Sequence, residues 1–266
     1  MKTKTKALLL ALCAILLVVA SVFGTMAFLT DTQTVENTFT VGQVHIKLDE
    51  AKVNAEGKPL NTSGAVVDDL ANAARVSTAK GVATPAGNAY HLLPGQEYTK
   101  DPTVTVVGGS EDAYVRIIVT VNNISGVKAA FPSLVTDSKF VFTNFITDYD
   151  SNTWINKGCT EDSNSNTAVY EFRYKNKVEK SDTDTKLEAL FTGISIPTTS
   201  DNDDIAKLYY QIDGNNALVY DNNGALIALD AEYQFKITVV ANAIQATGFN
   251  DADAAWTAFT SQHPNP

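Results

Sequence analysis

Apolar and polar residues alternate with a period of two along several stretches of the chain. Such alternation is typical of strands that have one face against a core and one face in solvent. The stretches with this alternation, or with shorter β-branched or aromatic runs, are 44–49, 103–107, 114–121, 140–146, 170–175 and 233–240. Strands with one wet face form antiparallel sheets, and two such sheets packed face to face make a sandwich. The pattern therefore predicts an all-β fold, an antiparallel β-sandwich.

Helical patterns are few. Asp68–Lys80 is rich in alanine, and Asp251–Ser261 has acidic residues in its first turn, with Asn250 as a candidate N-cap. Trp256 and Phe259 lie three residues apart in the second stretch and would share one helix face. We expect one or two short helices beside the sheets.

Polar stretches separate these elements, and their content of Asp, Asn, Ser and Thr predicts loops. They are 50–64, 148–167, 175–185 and 198–204. None is long or uniform enough to be a domain linker, and we find no repeat of fixed period. Residues 28–266 are therefore expected to form a single domain.

The N-terminus has the order of a secretory signal peptide. Three lysines among the first six residues precede an apolar run of about 17 residues, Ala7–Phe23, and small residues follow at Thr25 and Ala27. We expect residues 1–27 to be removed by cleavage between Ala27 and Phe28. The alternative is a retained membrane anchor, although the run is at the short limit for a membrane-spanning helix. The sequence thus predicts a secreted protein that lies outside the membrane after cleavage.

The charge of the chain is strongly negative. Removing residues 1–27 removes three lysines and no acidic residue, which leaves 17 Lys and Arg against 30 Asp and Glu, a net charge of −13. Such a surface repels phosphate backbones and anionic lipids. Nucleic acid is therefore excluded as an expected partner.

The exported chain cannot form an internal disulfide. Cys13 lies in the signal peptide, which leaves Cys159 either free or paired with another chain. Stability must come from a hydrophobic core, and the chain is long enough to build one.

Short motifs near both ends resemble a known family. Residues 24–31 (G-T-M-A-F-L-T-D) are followed by 37–44 (N-T-F-T-V-G-Q-V). Further motifs are L-P-G-Q-E-Y at 93–98, D-P-T-V at 101–104, D-A-Y-V-R at 112–116, A-I-Q-A at 243–246 and A-W at 255–256. These resemble the TasA/camelysin family of secreted proteins of Gram-positive bacteria, whose signal peptide is cut by a dedicated SipW-type signal peptidase. The resemblance is weaker between about 125 and 230.

The resemblance implies a jelly-roll form of the sandwich and a role as a subunit of extracellular, biofilm matrix fibres. In such fibres the N-terminal segment of one subunit adds as a strand to the next. Here the donor would be Phe28–Val41, with Phe39 and Val41 on one face, and the partners would be further copies or related matrix subunits. The alternative is that Phe28–Val41 pairs within its own subunit as an ordinary first strand.

A camelysin-like metallopeptidase is a second functional hypothesis, but the residues do not support it. A zinc peptidase needs two closely spaced histidines and a third ligand, whereas His45, His91 and His263 are far apart in sequence and no H-E-x-x-H motif is present. Acidic neighbours of Cys159 oppose thiolate formation, and no G-x-S-x-G motif occurs. We therefore expect no catalysis and no cofactor.

A monomeric adhesin or calcium-assisted binding module is a third hypothesis. Asp148, Asp150 and Asn152 have the D-x-D-x-N spacing that begins a calcium loop. The pattern then fails, because Thr153 replaces the turn glycine and Cys159 replaces the bidentate Glu. Trp154, next to this loop, is a candidate surface contact for a ligand.

Overall fold

The computed structural model describes residues 30–32, 43–77 and 87–263, and of residues 30–32 it describes the backbone. Within these residues the chain forms 14 strands and three helices, with three short 3-10 turns between them. In chain order they are β1 (Thr30–Thr32), β2 (Ile46–Ala51), β3 (Arg75–Ser77), β4 (Glu97–Thr99), β5 (Thr103–Val106), β6 (Ala113–Asn122), α1 (Ile124–Ala130), β7 (Val135–Thr136), β8 (Lys139–Phe140), β9 (Ile146–Thr147), β10 (Trp154–Asp162), β11 (Thr167–Tyr174), β12 (Thr185–Lys186), β13 (Gly193–Ser195), α2 (Asn202–Ala206), β14 (Ile237–Gln245) and α3 (Ala252–Gln262).

The strands form antiparallel sheets, which confirms the predicted all-β sandwich with few helices. The largest sheet has the order β1-β14-β6-β11-β10, and a four-stranded sheet has the order β12-β5-β2-β3. Two smaller sheets, β4-β13-β9 and β7-β8, lie at the margins.

The core lies between the two larger sheets. Every second residue of β6 from Val115 to Val121 is fully buried, and these side chains share one cluster with Ile46 and Leu48 of β2 and Val104 of β5. Burying an aliphatic side chain of this size contributes about 2 kcal/mol. The strict alternation along β6 thus accounts for much of the packing between the sheets.

Helix α3 covers the opposite face of the five-stranded sheet. Its N-cap is Asp251, whose carboxylate accepts a hydrogen bond from the Ala254 backbone at 2.8 Å, rather than the predicted Asn250. Trp256 and Phe259 are both buried and pack on Ile244 of β14. The predicted helix is confirmed to within one residue at each end.

The sequence misassigned some local elements. The alanine-rich stretch from Asp68 contains only a 3-10 turn, Leu70–Asn72, before it continues as strand β3. The polar stretch 148–167 contains β10, which was predicted to be loop. Strand β10 is at the edge of its sheet and buries only Trp154 fully, so it carries little of the hydrophobic alternation that marks a strand.

A recurring turn was also missed by the sequence analysis. It occurs twice in residues 52–67, which we call the first hairpin pair. It occurs twice more in residues 211–227, which we call the second hairpin pair. In each turn an Asn or Asp side chain accepts the backbone N–H four residues later, and the residue three positions later has positive φ. The Asn or Asp and its positive-φ residue are Asn54 and Gly57, Asn61 and Gly64, Asp213 and Asn216, and Asp221 and Gly224. Successive turns are spaced by seven residues in one pair and eight in the other, so no single period reveals them.

Candidate assembly edge

Strand β1 occupies one edge of the five-stranded sheet. It is antiparallel to β14, with Thr30 opposite Ile244, Asp31 opposite Ala243 and Thr32 opposite Asn242. The pairing involves three residues of β1, whereas β14 pairs with β6 along all nine of its residues. Each of the three described residues of β1 thus pairs with the edge of β14.

The rest of the β14 edge is open in the described part of the chain. Residues 237–241 pair with β6 on one side and have no strand on the other among the described residues. An edge of this kind presents unpaired main-chain N–H and C=O groups that can accept a further strand. The edge thus has a seated segment, residues 242–244, and an open segment, residues 237–241.

A buried arginine supports the seated segment from the outer face of the sheet. The Arg116 guanidinium lies 4.7 Å from the ring centre of Trp256 and 4.6 Å from that of Phe259. Its Nε donates to Asn242 Oδ1 at 3.0 Å, and Glu171 lies 3.6 Å from it. Burial lowers the pKa of Arg116, and Glu171 opposes that shift. Arg116 contacts both neighbouring rings of α3 from the side of the sheet, a cation–π arrangement that compensates part of the lost hydration.

Surface ion pairs tie the start of α3 to the neighbouring strands. Asp253 accepts from Arg173 of β11 and lies 3.3 Å from Lys157 of β10. The pKa of Asp253 is lowered, mainly by Lys157. Asp253 is largely exposed, so these pairs orient α3 more than they stabilise it.

Three motifs of the family resemblance meet at this place. D-A-Y-V-R supplies Arg116, A-I-Q-A supplies Ile244, and A-W supplies Trp256. Their shared role in this structure is to seat α3 on the sheet behind the β14 edge. Spacing along the chain offered no way to find this cluster, because its members come from three separate elements.

The remaining motifs have local structural roles. The Tyr98 hydroxyl of L-P-G-Q-E-Y accepts from the Leu93 backbone at 2.7 Å and donates to the His91 carbonyl at 2.8 Å. Asp101 of D-P-T-V accepts from the Ala51 backbone at 2.6 Å and pairs with Arg75. These contacts join the loop before β4 and the start of β5 to β2 and β3.

Two of the predicted calcium ligands, the carboxylates of Asp148 and Asp150, accept hydrogen bonds from different residues. Asp150 Oδ1 accepts from the Asn152 backbone at 2.8 Å and Oδ2 accepts from Thr153 Oγ1 at 2.8 Å, and the first of these bonds is the main cause of its lowered pKa. Asp148 instead accepts from Thr192 and lines a cavity of about 570 Å³ between the first hairpin pair and β13. In the part of the chain that the structure describes, no group of three or more His, Cys, Asp or Glu side chains could hold a metal ion. Asn152 Nδ2 also donates to Asp150 Oδ1 at 3.1 Å, so Asp150 and Asn152 are in contact, whereas Asp148 has a separate partner. A calcium site at these residues stays a prediction.

Trp154 is not a surface contact, and that prediction is wrong. Its side chain is fully buried, and its Nε1 donates to the Glu188 carbonyl at 3.1 Å. The indole lies edge-on to Tyr174 with ring centres 5.1 Å apart. Trp154 is the single apolar anchor of an otherwise polar edge strand.

The histidines and the cysteine occupy separate elements. His45 is exposed just before β2, His91 is exposed in the loop before β4, and His263 follows α3 with its ring stacked on Phe259 at 4.6 Å. Cys159 is half-buried on β10, and burial raises the pKa of its thiol. A raised pKa keeps the thiol protonated and makes it a weak nucleophile.

Several predicted residues lie outside the described ranges. These are the signal segment, the cleavage pair Ala27 and Phe28, and the assembly residues Phe39 and Val41. Among the described residues, no helix has the length and apolar character to cross a membrane.

Comparisons of the chain with models of known protein families, with curated proteins and with solved structures find no match. The resemblance to the TasA/camelysin family stays a prediction from the motifs.

Proposed function

We propose that this protein is an exported structural subunit of extracellular matrix fibres, with no catalytic activity and no cofactor. In this proposal the N-terminal strand of one copy pairs with β14 of the next. The partners are further copies of the chain or related matrix subunits, and a SipW-type signal peptidase releases the mature protein between Ala27 and Phe28.

The observation that carries the proposal is that β1 lies on the edge of β14 and that, among the described residues, no strand covers the rest of that edge. The same three residues can seat on β14 of a neighbouring copy in the same register, so exchange between copies preserves the bonds made within one copy. The 13 residues between Thr32 and Ile46 have an upper reach of about 45 Å when extended. A head-to-tail contact of this kind continues as a filament when its rotation does not close a ring.

The surroundings of the edge favour a defined acceptor site. Asn242 and Ile244 are buried; Arg116 donates a hydrogen bond to Asn242, and Ile244 packs with Trp256 and Phe259 of α3. A rigid acceptor strand loses little conformational entropy when a partner strand is added. Main-chain groups at 237–241, which no described strand covers, can form additional hydrogen bonds with a donor that extends beyond Thr32.

Cysteine pairing between two preparations tests the proposal directly. Both carry Cys159→Ser; one also carries Asp31→Cys and the other Ala243→Cys, at positions that face each other in the β1–β14 register. Equal amounts are mixed at high concentration and oxidised, and non-reducing gels and electron microscopy follow. We expect a disulfide-linked dimer and, in the parent protein beginning at Phe28, filaments.

A matched control uses the other edge of the same sheet. Ile155→Cys lies on β10 and is 40% exposed, so it is accessible but is not in register with Asp31. Mixing it with the Asp31→Cys protein should give little dimer. A yield for Ala243→Cys no greater than for this control, together with monodisperse particles of the parent, would overturn donor-strand assembly. Unchanged filaments after deletion of Phe28–Val41 would do the same.

A further inference from the structure

The four-stranded sheet carries a buried carboxylate that contacts a lysine amine and a side-chain amide. Lys100 and Glu50 are 7% and 8% exposed, and Lys100 Nζ lies 2.6 Å from Glu50 Oε2. The other oxygen, Oε1, accepts from Asn88 Nδ2 at 3.0 Å. One buried carboxylate thus contacts both an amine and an amide.

We propose that Lys100 and Asn88 become joined by an amide bond between their side chains, with Glu50 as the catalytic acid and base. Glu50 takes a proton from the Lys100 ammonium, and the neutral amine attacks Asn88 Cγ. The Nζ–Cγ bond forms, a second proton passes from Nζ to Nδ2, and the Cγ–Nδ2 bond breaks to release ammonia. Glu50 then gives the first proton to the ammonia, which leaves as ammonium. The products are one amide cross-link and one ammonium ion, so no oxidant, metal or other reactant is needed.

Backbone groups around Asn88 favour this reaction. The Val53 N–H donates to Asn88 Oδ1 at 3.0 Å, which is the oxygen that gains negative charge when the amine attacks. The Ala51 carbonyl accepts from Nδ2 at 2.8 Å and fixes the orientation of the amide. The reacting carbonyl is therefore both polarised and held in place.

The site is also sheltered from water. The Tyr90 hydroxyl donates to the Thr99 carbonyl at 3.0 Å, and the pKa of Tyr90 is raised mainly by burial and then by the charge of Glu50. The same shelter protects the product from hydrolysis.

The cross-link would tie the coil before β4 to the residue that follows β4. It would stabilise a chain whose part after the predicted signal peptide contains only one cysteine. This inference does not rest on fibre assembly, because all three side chains belong to one copy.

Tryptic mapping of the purified protein tests the inference. Unmodified protein gives peptides 81–100 and 101–116, because Lys80, Lys100 and Arg116 are consecutive cleavage sites. An acylated Lys100 resists trypsin, so the cross-linked protein gives peptide 81–116 with a mass about 17 Da below its sequence mass, the mass of one ammonia. Cyclisation of Asn88 onto its own backbone causes the same loss but leaves Lys100 cleavable, so the two reactions are distinguished.

Two variants locate the catalytic group. Glu50→Gln should leave Lys100 cleavable and abolish the loss of ammonia. Glu161→Gln removes the carboxylate from a comparable pair, in which Lys128 Nζ lies 2.7 Å from Glu161, and it should leave peptide 81–116 modified. Recovery of unmodified peptides 81–100 and 101–116 from folded parent protein would overturn the proposal whatever the variants do. Persistence of the cross-link in Glu50→Gln would overturn the role of Glu50.

Discussion

The two hairpin pairs have the same hydrogen bonds but different surroundings. At Gly57 in the first pair, a Cβ atom would lie 2.7 Å from Tyr98 Cδ1, and the Gly57 carbonyl accepts from the Thr99 backbone at 3.1 Å. At Gly224 in the second pair, a Cβ atom would have no neighbour within 4 Å. The Gly57 turn of the first pair is packed against β4, whereas a Cβ atom at Gly64, in the other turn of that pair, would have no neighbour within 4 Å, as at Gly224.

The residues that cap the turns also differ. The first pair uses Asn54 and Asn61, and the second uses Asp213 and Asp221. Backbone N–H groups lower the pKa of both aspartates, the largest effects being those of Ala217 on Asp213 and Ala225 on Asp221. The comparison teaches that a four-residue pattern is sufficient to form the turn, while the tertiary contacts decide how much a change in it costs.

The largest expected effect is that of Gly57→Ala. The new methyl group meets Tyr98, and a positive φ of 73° disfavours alanine. Overpacking and left-handed backbone together should lower the free energy of unfolding by about 3 kcal/mol. Urea unfolding followed by fluorescence measures it; a loss below about 1 kcal/mol would mean that the first pair is not held by Tyr98.

Gly224→Ala should cost less. The backbone penalty at φ 79° remains, but the added methyl group lies in open space, so we expect a loss of about 1 kcal/mol. The same urea titration measures it. An effect equal to that of Gly57→Ala would remove the difference in packing between the two pairs.

Asp221→Ala should lower the melting temperature by less than Gly224→Ala does, because the Asn223 and Ala225 backbone N–H groups lose their acceptor but remain exposed to water. Asp221→Asn is the matched control, since asparagine already fills this role at Asn54 and Asn61. Thermal unfolding at neutral pH should place the asparagine variant near the parent. An asparagine variant as unstable as the alanine variant would show that charge, not the hydrogen bonds, holds this turn.

The smallest effect is a difference in response to acid. The folded-state pKa values of Asp213 and Asp221 are lowered. Their contribution to the stability of the folded state is therefore present above the ordinary Asp value of 3.8 and is lost as the pH falls through the lowered values. In NMR titrations, the amide protons of Ala217 and Ala225 should shift in this acid range. Those of Lys58 and Ala65, which donate to asparagines, should not shift with such a titration.

The predicted fold could be recognised from residues that repeat locally. The alternation through Val115, Ile117 and Val119 is confirmed, since all three are fully buried. Strand β6 is flanked on both sides by other strands, and the facing sheet packs on the side that carries these residues. Strand β10 lacked that pattern, since an edge strand buries one face only in part. The turn motif was visible as an Asn or Asp followed three residues later by Gly or Asn, but its variable spacing concealed it.

The candidate sites were harder to predict. Alternation assigns Arg116 to the wet face of β6, but α3 covers that face and leaves the residue 5% exposed. Lys100, Glu50 and Asn88 belong to no local pattern, because the carboxylate is contributed by β2 and the amine and amide by separate loops. For the calcium hypothesis the spacing was present, but the Asp148 and Asp150 carboxylates accept hydrogen bonds from different partners.

By itself, the sequence determined the strands with strict alternation, the Asx-capped turns and helix α3, because each depends on residues a few positions apart. Only the tertiary structure decided that β1 lies on β14, that Arg116 contacts two aromatic rings of α3, and that an amine and an amide share the Glu50 carboxylate. Contacts of that kind join residues distant along the chain. Their existence depends on which faces and edges meet when the sheets pack, and no local pattern encodes that choice.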